Sequence, residues 1–152
     1  MKLREKRLRQ RTDLSAQRGE STASETFDRV VATRWRDGDA LGHVNHAVFL
    51  TYLEQGRDAL YSDVLGLGPE YVVARIEIDF TAEVRLDVKT LGIQITVERV
   101  GTSSLTTREQ ILLPTGEVVS TARVVSVKWN PASRGSQPFT DDERMRITPY
   151  ID

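Results

Sequence analysis

The sequence predicts an α+β domain, a five-stranded antiparallel sheet with one long helix on one of its faces. Two observations carry this. One stretch, from Asn45 to about Gly66, repeats its apolar residues at steps of three and four, the period of a helix with one buried face. The stretches after it alternate apolar and polar residues with period two and are separated by turn formers, as antiparallel strands are. One helix cannot cover both faces of such a sheet. The bare face and the sheet edges are therefore expected to receive a second subunit.

The first strand is expected in TFDRVVATRW, with Phe27, Val31 and Trp35 on its buried side. Asp37, Gly38 and Asp39 break it. Asn45 is a good N-cap, because its side-chain oxygen can accept from a helix N–H that has no other partner. Phe49, Leu53, Gly56, Leu60 and Val64 then share one helix face, and Glu54, Arg57 and Asp58 fall on others. Glu54 and Arg57 stand three apart, close enough to pair locally. Gly56 inside a helix costs about 1 kcal/mol relative to Ala. Its expected return is close packing against a flat surface. Gly66, Gly68 and Pro69 end the helix.

The second strand is VVARIEIDF, with Val72, Ala74, Ile76, Ile78 and Phe80 as its apolar side. The third, VKTLGIQITVERV, buries Leu91, Ile93, Ile95 and Val97. Gly101 to Ser104 forms a turn, SLTTREQILL the fourth strand, and Pro114 to Glu117 a hairpin turn. EVVSTARVVSVKW is the fifth strand, stopped by Asn130-Pro131, and a short helix is expected at DDERMRI. The domain boundaries follow: a basic, solvated tail over 1–24, the folded domain over 25–132, and a polar extension over 133–152.

Composition removes several function classes. Net charge is -1, so no whole-chain field favours nucleic acid or an anionic membrane. The basic tail could serve as an electrostatic arm, but it lacks interleaved aromatics on which bases could stack. There is no cysteine, which removes disulfides, thiolate metal sites and a Cys nucleophile, and fits a reducing, cytoplasmic setting. No apolar run is long enough for a membrane span, and the N-terminus has no secretory apolar core.

The chemistry concentrates between Trp35 and Arg57, which holds both histidines of the chain. Free N–H groups at a helix start carry a partial positive charge and can stabilise a carbonyl oxygen that becomes negative during acyl transfer. Asp39 precedes that helix start by a short turn and could attack the carbonyl or activate water. It could equally be a plain turn residue, His43 a hydrogen-bonded structural residue, and Glu54 a solvated helix residue. His43 and His46 stand three apart, but no third histidine and no cysteine exists, so no metal site is expected.

The segment resembles the signature of hotdog-fold thioesterases of the 4-hydroxybenzoyl-CoA thioesterase type, D-x-D-x-x-G-H-V-N-N-x-x-Y followed by E-x-x-R. Here it reads Asp37, Asp39, Gly42, His43, Val44, Asn45, His46, Phe49, Glu54 and Arg57. His46 replaces the second Asn of the pattern, and Phe49 replaces the Tyr. The order of strand, helix and four strands matches too, so the resemblance covers about residues 26–130.

The resemblance implies a hotdog fold, a five-stranded antiparallel sheet wrapped around one long central helix. It implies an acyl-CoA thioesterase that hydrolyses an acyl or aroyl thioester, carried by CoA or an acyl-carrier protein, to the free acid. Asp39 takes the place of the catalytic carboxylate, as nucleophile or general base. His46 offers its backbone N–H to the thioester carbonyl, with a side-chain role second. Glu54 matches a helix carboxylate that serves as base or orienter in some members, and His43 is the remaining candidate. Asn45 and the turn Gly101, Thr102 and Ser103 would bind substrate, the turn lining the pantetheine channel. Arg75 and Arg99 are weaker candidates for the CoA phosphates. No cofactor is implied, since coenzyme A is part of the substrate. A homodimer or homotetramer is implied, with the site between subunits. The competing expectations are a non-catalytic acyl-CoA-binding sensor and an enoyl-CoA hydratase. The hydratase pattern Asp-x-Asn-Pro-x-His is absent, because Ala40, Leu41, Gly42 and His43 follow Asp39.

Overall fold

A computed structural model describes residues 23–152; the expected basic tail lies outside them except for its last two residues. The chain runs β1 (Phe27–Ala32), a 3-10 turn (Trp35–Asp37), α1 (His46–Ala59), β2 (Tyr71–Phe80), β3 (Thr90–Val100), β4 (Ser104–Leu112), β5 (Val118–Asn130), a two-residue β6 (Gly135–Ser136) and α2 (Asp141–Ile147). Strand order across the sheet is β1-β3-β4-β5-β2, every pair antiparallel. The sequence order of elements is the predicted one. β6, two residues long and paired to the end of β5, gives no periodic signal.

The alternation in β3 is the backbone of the core: Leu91, Ile93, Ile95 and Val97 are all buried, and α1 lies across them. Gly56 is what allows the close approach. A Cβ placed there would stand 2.6 Å from Ile93 Cγ2, too near for two carbon atoms. The packing expected of Gly56 is thus present. Asn45 caps α1 by accepting from the Ala47 N–H at 2.9 Å. The helix closes with one wider π turn over Leu60–Val64, and Gly66 takes the positive φ that ends it.

Three expectations need correction. Trp35 does not face the core: β1 stops at Ala32, the Thr33 N–H bonds to the Lys89 carbonyl, and the 3-10 turn swings the indole out to 92% exposure. Arg57 does not pair with Glu54. It is buried, and its Nη1 donates to Glu109 Oε2 of β4 at 2.6 Å, because its side chain points between helix and sheet. The apolar side of β2 is not continuously covered. A bulge between Val73 and Arg75 shifts the register, and Val72 and Phe80 stay open to solvent.

The C-terminal extension packs onto the domain. Phe139 and Ile147 join the core, and Lys128 of β5 donates to both carboxylate oxygens of Glu143 in α2 at 2.9 Å. The short helix expected at DDERMRI is α2, and Thr140 and Glu143 form its capping box.

Candidate active site

Asp37 fixes the connection between β1 and α1. It is buried, and its Oδ2 accepts from the Tyr52 hydroxyl at 2.6 Å and from the Arg34 N–H at 2.7 Å. Its carbonyl accepts from the Asn45 N–H at 2.8 Å, tying the turn to the first residue before the helix. Burial works against the charge, but the hydrogen bonds from Tyr52 and Arg34, with the Arg34 guanidinium, hold the Asp37 carboxyl below its ordinary range. Burial and the Asp37 charge raise the Tyr52 phenol in turn.

Asp39 sits in the turn that follows. Its Oδ1 accepts from the Leu41 N–H at 2.9 Å and the His43 N–H at 3.1 Å, and its own N–H donates to the His43 carbonyl at 2.8 Å. Gly42 makes the turn with φ of +79°. Among the described residues no donor reaches Asp39 Oδ2. The turn is then stitched to the segment after β2: the Val44 N–H donates to the Val84 carbonyl at 2.8 Å, and the Leu86 N–H to the Gly42 carbonyl at 3.2 Å. The His43 ring points to Glu83, with Nε2 2.5 Å from Oε2, over a 380 Å³ depression lined also by Arg85, Leu86 and Asp87. Its side chain is turned away from Asp39, and only its backbone touches that residue.

The helix start supplies the donor. The Ala47 N–H is taken by the Asn45 side chain and the Val48 N–H by the Asn45 carbonyl. Among the described residues the His46 N–H has no acceptor. The His46 ring is exposed and meets Phe80, the last residue of β2, edge to face at 6.0 Å; Phe80 meets Phe49 in the same way at 5.3 Å. Asp39, Asn45, His46 and, through its backbone, His43 are therefore at one end of the sheet.

The other candidates are elsewhere in the chain. Glu54 is exposed and lies two helical turns beyond His46, about 12 Å along the axis. The turn Gly101-Thr102-Ser103 is at the opposite end of the sheet. In register, Phe80 faces Ser120, whereas the far end of β2, Tyr71, faces Lys128 beside Ser104. That is roughly 30 Å along the strands. The carbonyls of this turn are all engaged: Arg144 Nη2 donates to those of Gly101 (2.7 Å) and Thr102 (3.0 Å), the Phe139 N–H to Thr102 and the Lys128 N–H to Ser103. Arg75 is paired with Glu77 on the surface.

Sequence reasoning gave no site role to Asp37, Tyr52, Glu83 or Phe80. Asp37 was legible as half of an Asp-x-Asp pair, and Tyr52 only as a phenol on the apolar stripe beside Leu53. Among the described residues no three His, Cys, Asp or Glu side chains are grouped so as to hold a metal ion, and no helix is long and apolar enough to cross a membrane.

A carboxylate with one oxygen held and one free, next to a helix start with one unpaired N–H, has the two parts acyl transfer needs. The chain belongs to the thioesterase-like superfamily, which it matches over residues 33–144. It is thus, by class, a thioester hydrolase. No curated protein sequence is a significant match. Among solved structures, a predicted thioesterase from Bacillus stearothermophilus is 25% identical, with a TM-score of 0.75 over 84% of this chain and 98% of that one. A thioesterase from Thermus thermophilus, complexed with coenzyme A and Zn, is 30% identical, with a TM-score of 0.70 over 82% of this chain and 98% of the other. A 1,4-dihydroxy-2-naphthoyl-CoA thioesterase from Synechocystis is 16% identical, with a TM-score of 0.69 over 82% and 96%, a likeness of fold. The architecture is the hotdog fold of these thioesterases.

Proposed function

We propose that the protein hydrolyses an acyl-CoA thioester to the free acid and CoA, with Asp39 as the reacting carboxylate and the His46 N–H as the oxyanion donor. The observation that carries this is the unpaired His46 N–H beside the Asp39 turn. The thioester carbonyl oxygen accepts from that N–H, whose place at the helix start adds the dipole's partial positive charge. Asp39 Oδ2 then either attacks the carbonyl carbon, giving an acyl anhydride that water opens, or takes a proton from an attacking water. In both routes the thiolate of CoA leaves and takes up a proton. Coenzyme A enters as part of the substrate and no cofactor is required. The narrower assignment to the 4-hydroxybenzoyl-CoA thioesterase type rests on the Asp-x-Asp to Glu-x-x-Arg motif.

A second subunit completes the site in this reading. β2 is an edge strand with open backbone groups and half-exposed Val72 and Val73. Pairing two copies of β2 antiparallel about a two-fold axis sets the partner's Tyr71 end against this subunit's Phe80 end. That brings the partner's Gly101–Ser103 turn to the Asp39 site and spans the roughly 30 Å that separates them within one chain. The turn's hydroxyls and free N–H groups would then hold the pantetheine arm, in a homodimer or a pair of such dimers.

The test is a steady-state assay over acetyl-, hexanoyl-, palmitoyl- and benzoyl-CoA. The Asp39→Asn variant is expected to lose roughly 10²–10⁴-fold in kcat while keeping the wild-type circular dichroism. An Asp39→Asn enzyme as active as wild type would remove Asp39 from the reaction.

A further inference from the structure

Phe80 closes β2 beside the proposed oxyanion donor, with its ring partly open. It lies directly across from Ser120 of β5, so both side chains project from the same face of the sheet. That is the face against α1, as the ring contacts show: Phe49 at 5.3 Å with planes 75° apart, and His46 at 6.0 Å with planes 83° apart. Phe49 is buried behind it, whereas Phe80 is 46% exposed. A half-exposed phenylalanine at a strand end, locked edge to face between two other rings, is held by its neighbours and still presents ring surface outward. Ser120, directly across from it, is fully buried, so the ring of Phe80 and not the serine presents the open surface here.

We propose that Phe80 determines acyl specificity, its open ring forming with His46 and Phe49 a wall that favours an aromatic over an alkyl acyl group. The inference rests on the hydrolase reading above for the carbonyl's position at the His46 N–H. His46 carries both that N–H and the ring that meets Phe80, so the wall begins at the residue that holds the carbonyl. Aromatic pairs gain attraction beyond the area they bury, from the quadrupoles of offset or edge-to-face rings, and an alkyl chain on the same surface gains the area alone. Antiparallel β2 pairing leaves Phe80 at the seam, so the partner closes the open side of the wall.

The experiment compares wild type, Phe80→Leu and Phe80→Tyr. Two ratios are read. One is kcat/KM for benzoyl-CoA over hexanoyl-CoA. The other is the affinity ratio for the non-hydrolysable thioethers S-benzyl-CoA and S-hexyl-CoA, by calorimetry. Phe80→Leu keeps an apolar side chain and is expected to lower both ratios about three- to tenfold, the size of one aromatic contact. Phe80→Tyr keeps the ring and is expected to hold them within about twofold. Unchanged ratios in Phe80→Leu, with Asp39→Asn inactive, overturn this inference and leave the hydrolase reading standing. A shifted thioether ratio in a protein that turns over no thioester supports the wall and removes the hydrolase reading. Wild type that binds neither thioether overturns both.

Discussion

The Tyr52 hydroxyl donates to Asp37 Oδ2 at 2.6 Å, and both groups are buried. This bond joins the second turn of α1 to the 3-10 turn before Asp39, across fifteen residues of sequence. Asp37 also accepts from the Arg34 N–H and from Asn45 through its carbonyl, so one residue sets the direction in which the chain enters the helix. The turn carrying Asp39 and the N–H of His46 both hang from that anchor.

Tyr52→Phe removes one oxygen and leaves the ring in place. The Asp37 carboxylate then keeps its burial and loses its shortest hydrogen bond. The expected loss is about 1.5–3 kcal/mol of stability, the range for a hydrogen bond to a charged group. In the hydrolase reading kcat falls more than KM rises, because the Asp39 turn loosens relative to the helix start. Urea unfolding and steady-state kinetics on the same preparation check both.

The same anchor gives an acid-sensitive stability. The folded-state carboxyls of Asp37 and Glu143 lie below their ordinary values of 3.8 and 4.5. For Glu143, burial opposes the charge, and hydrogen bonds from Lys128 and the Thr140 N–H outweigh it. Below about pH 4.5 the unfolded chain binds more protons at these positions than the folded one. Their contribution is therefore full above that pH and is lost as pH falls toward the folded values. Urea midpoints from pH 6 down to pH 3 should drop less steeply in Asp37→Asn and in Glu143→Gln than in wild type. An equal slope in all three proteins would show that neither carboxylate is coupled to folding.

The parts of the fold that were legible are those governed by local period. The first half of β3 alternates, with Leu91, Ile93, Ile95 and Val97 on the buried side, and α1 carries its stripe with Gly56 packed against Ile93. The misreadings involve residues whose surroundings come from far along the chain. Arg57 read as a surface charge because its partner, Glu109, is 52 positions away and outside any helical spacing. Trp35 continued the apolar count of β1, yet the chain leaves the ladder after Thr33 and turns through the 3-10 segment Trp35–Asp37. In the candidate site, motif spacing singled out Asp39 and His46, which the fold brings to one end of the sheet. The remoteness of the Gly101–Ser103 turn follows from strand register, which no local pattern encodes.

Arg57 and Glu109 form a pair sealed between helix and sheet. Glu109 is fully buried and also accepts from the Thr107 hydroxyl at 2.8 Å, while Arg57 Nε has no partner. Burial pushes the Glu109 carboxyl up in spite of Arg57. Arg57→Met leaves that carboxylate alone in the core and is expected to destabilise the protein by about 3–5 kcal/mol. Adding Glu109→Leu should restore most of the loss, since replacing both charges removes the desolvation along with the attraction. Thermal unfolding of the two single variants and the double variant measures the coupling directly.

Gly56 sets how near α1 approaches β3. Alanine is the better helix former by about 1 kcal/mol, so an exposed glycine here would gain from the change. The new Cβ would instead stand 2.6 Å from Ile93 Cγ2 and 3.4 Å from Ile95 Cδ1, both fully buried side chains. Overpacking of this kind costs about 1–3 kcal/mol and outweighs the propensity gain. Gly56→Ala is expected to lower the unfolding midpoint, and Gly56→Val, with two more methyl groups and a branched Cβ, to lower it further. A raised midpoint in Gly56→Ala would mean that the helix is free to lift off the sheet.

The β2 edge carries the last prediction. Val73 is 41% exposed on that edge, next to the bulge that precedes Arg75. In that pairing Val73 faces the partner's Ile78, so a lysine there sets a charge against an apolar residue at the seam, a device by which sheet edges are kept from pairing. Val73→Lys is expected to sediment as a monomer where wild type sediments as a dimer or tetramer. Its Asp39 turn and helix start are unchanged, so any turnover lost is lost through the partner's Gly101–Ser103 turn, seen first as a raised KM for acyl-CoA. A monomeric Val73→Lys protein with wild-type KM and kcat would show that each chain holds a whole site, and that the roughly 30 Å between turn and carboxylate is not bridged by a second subunit.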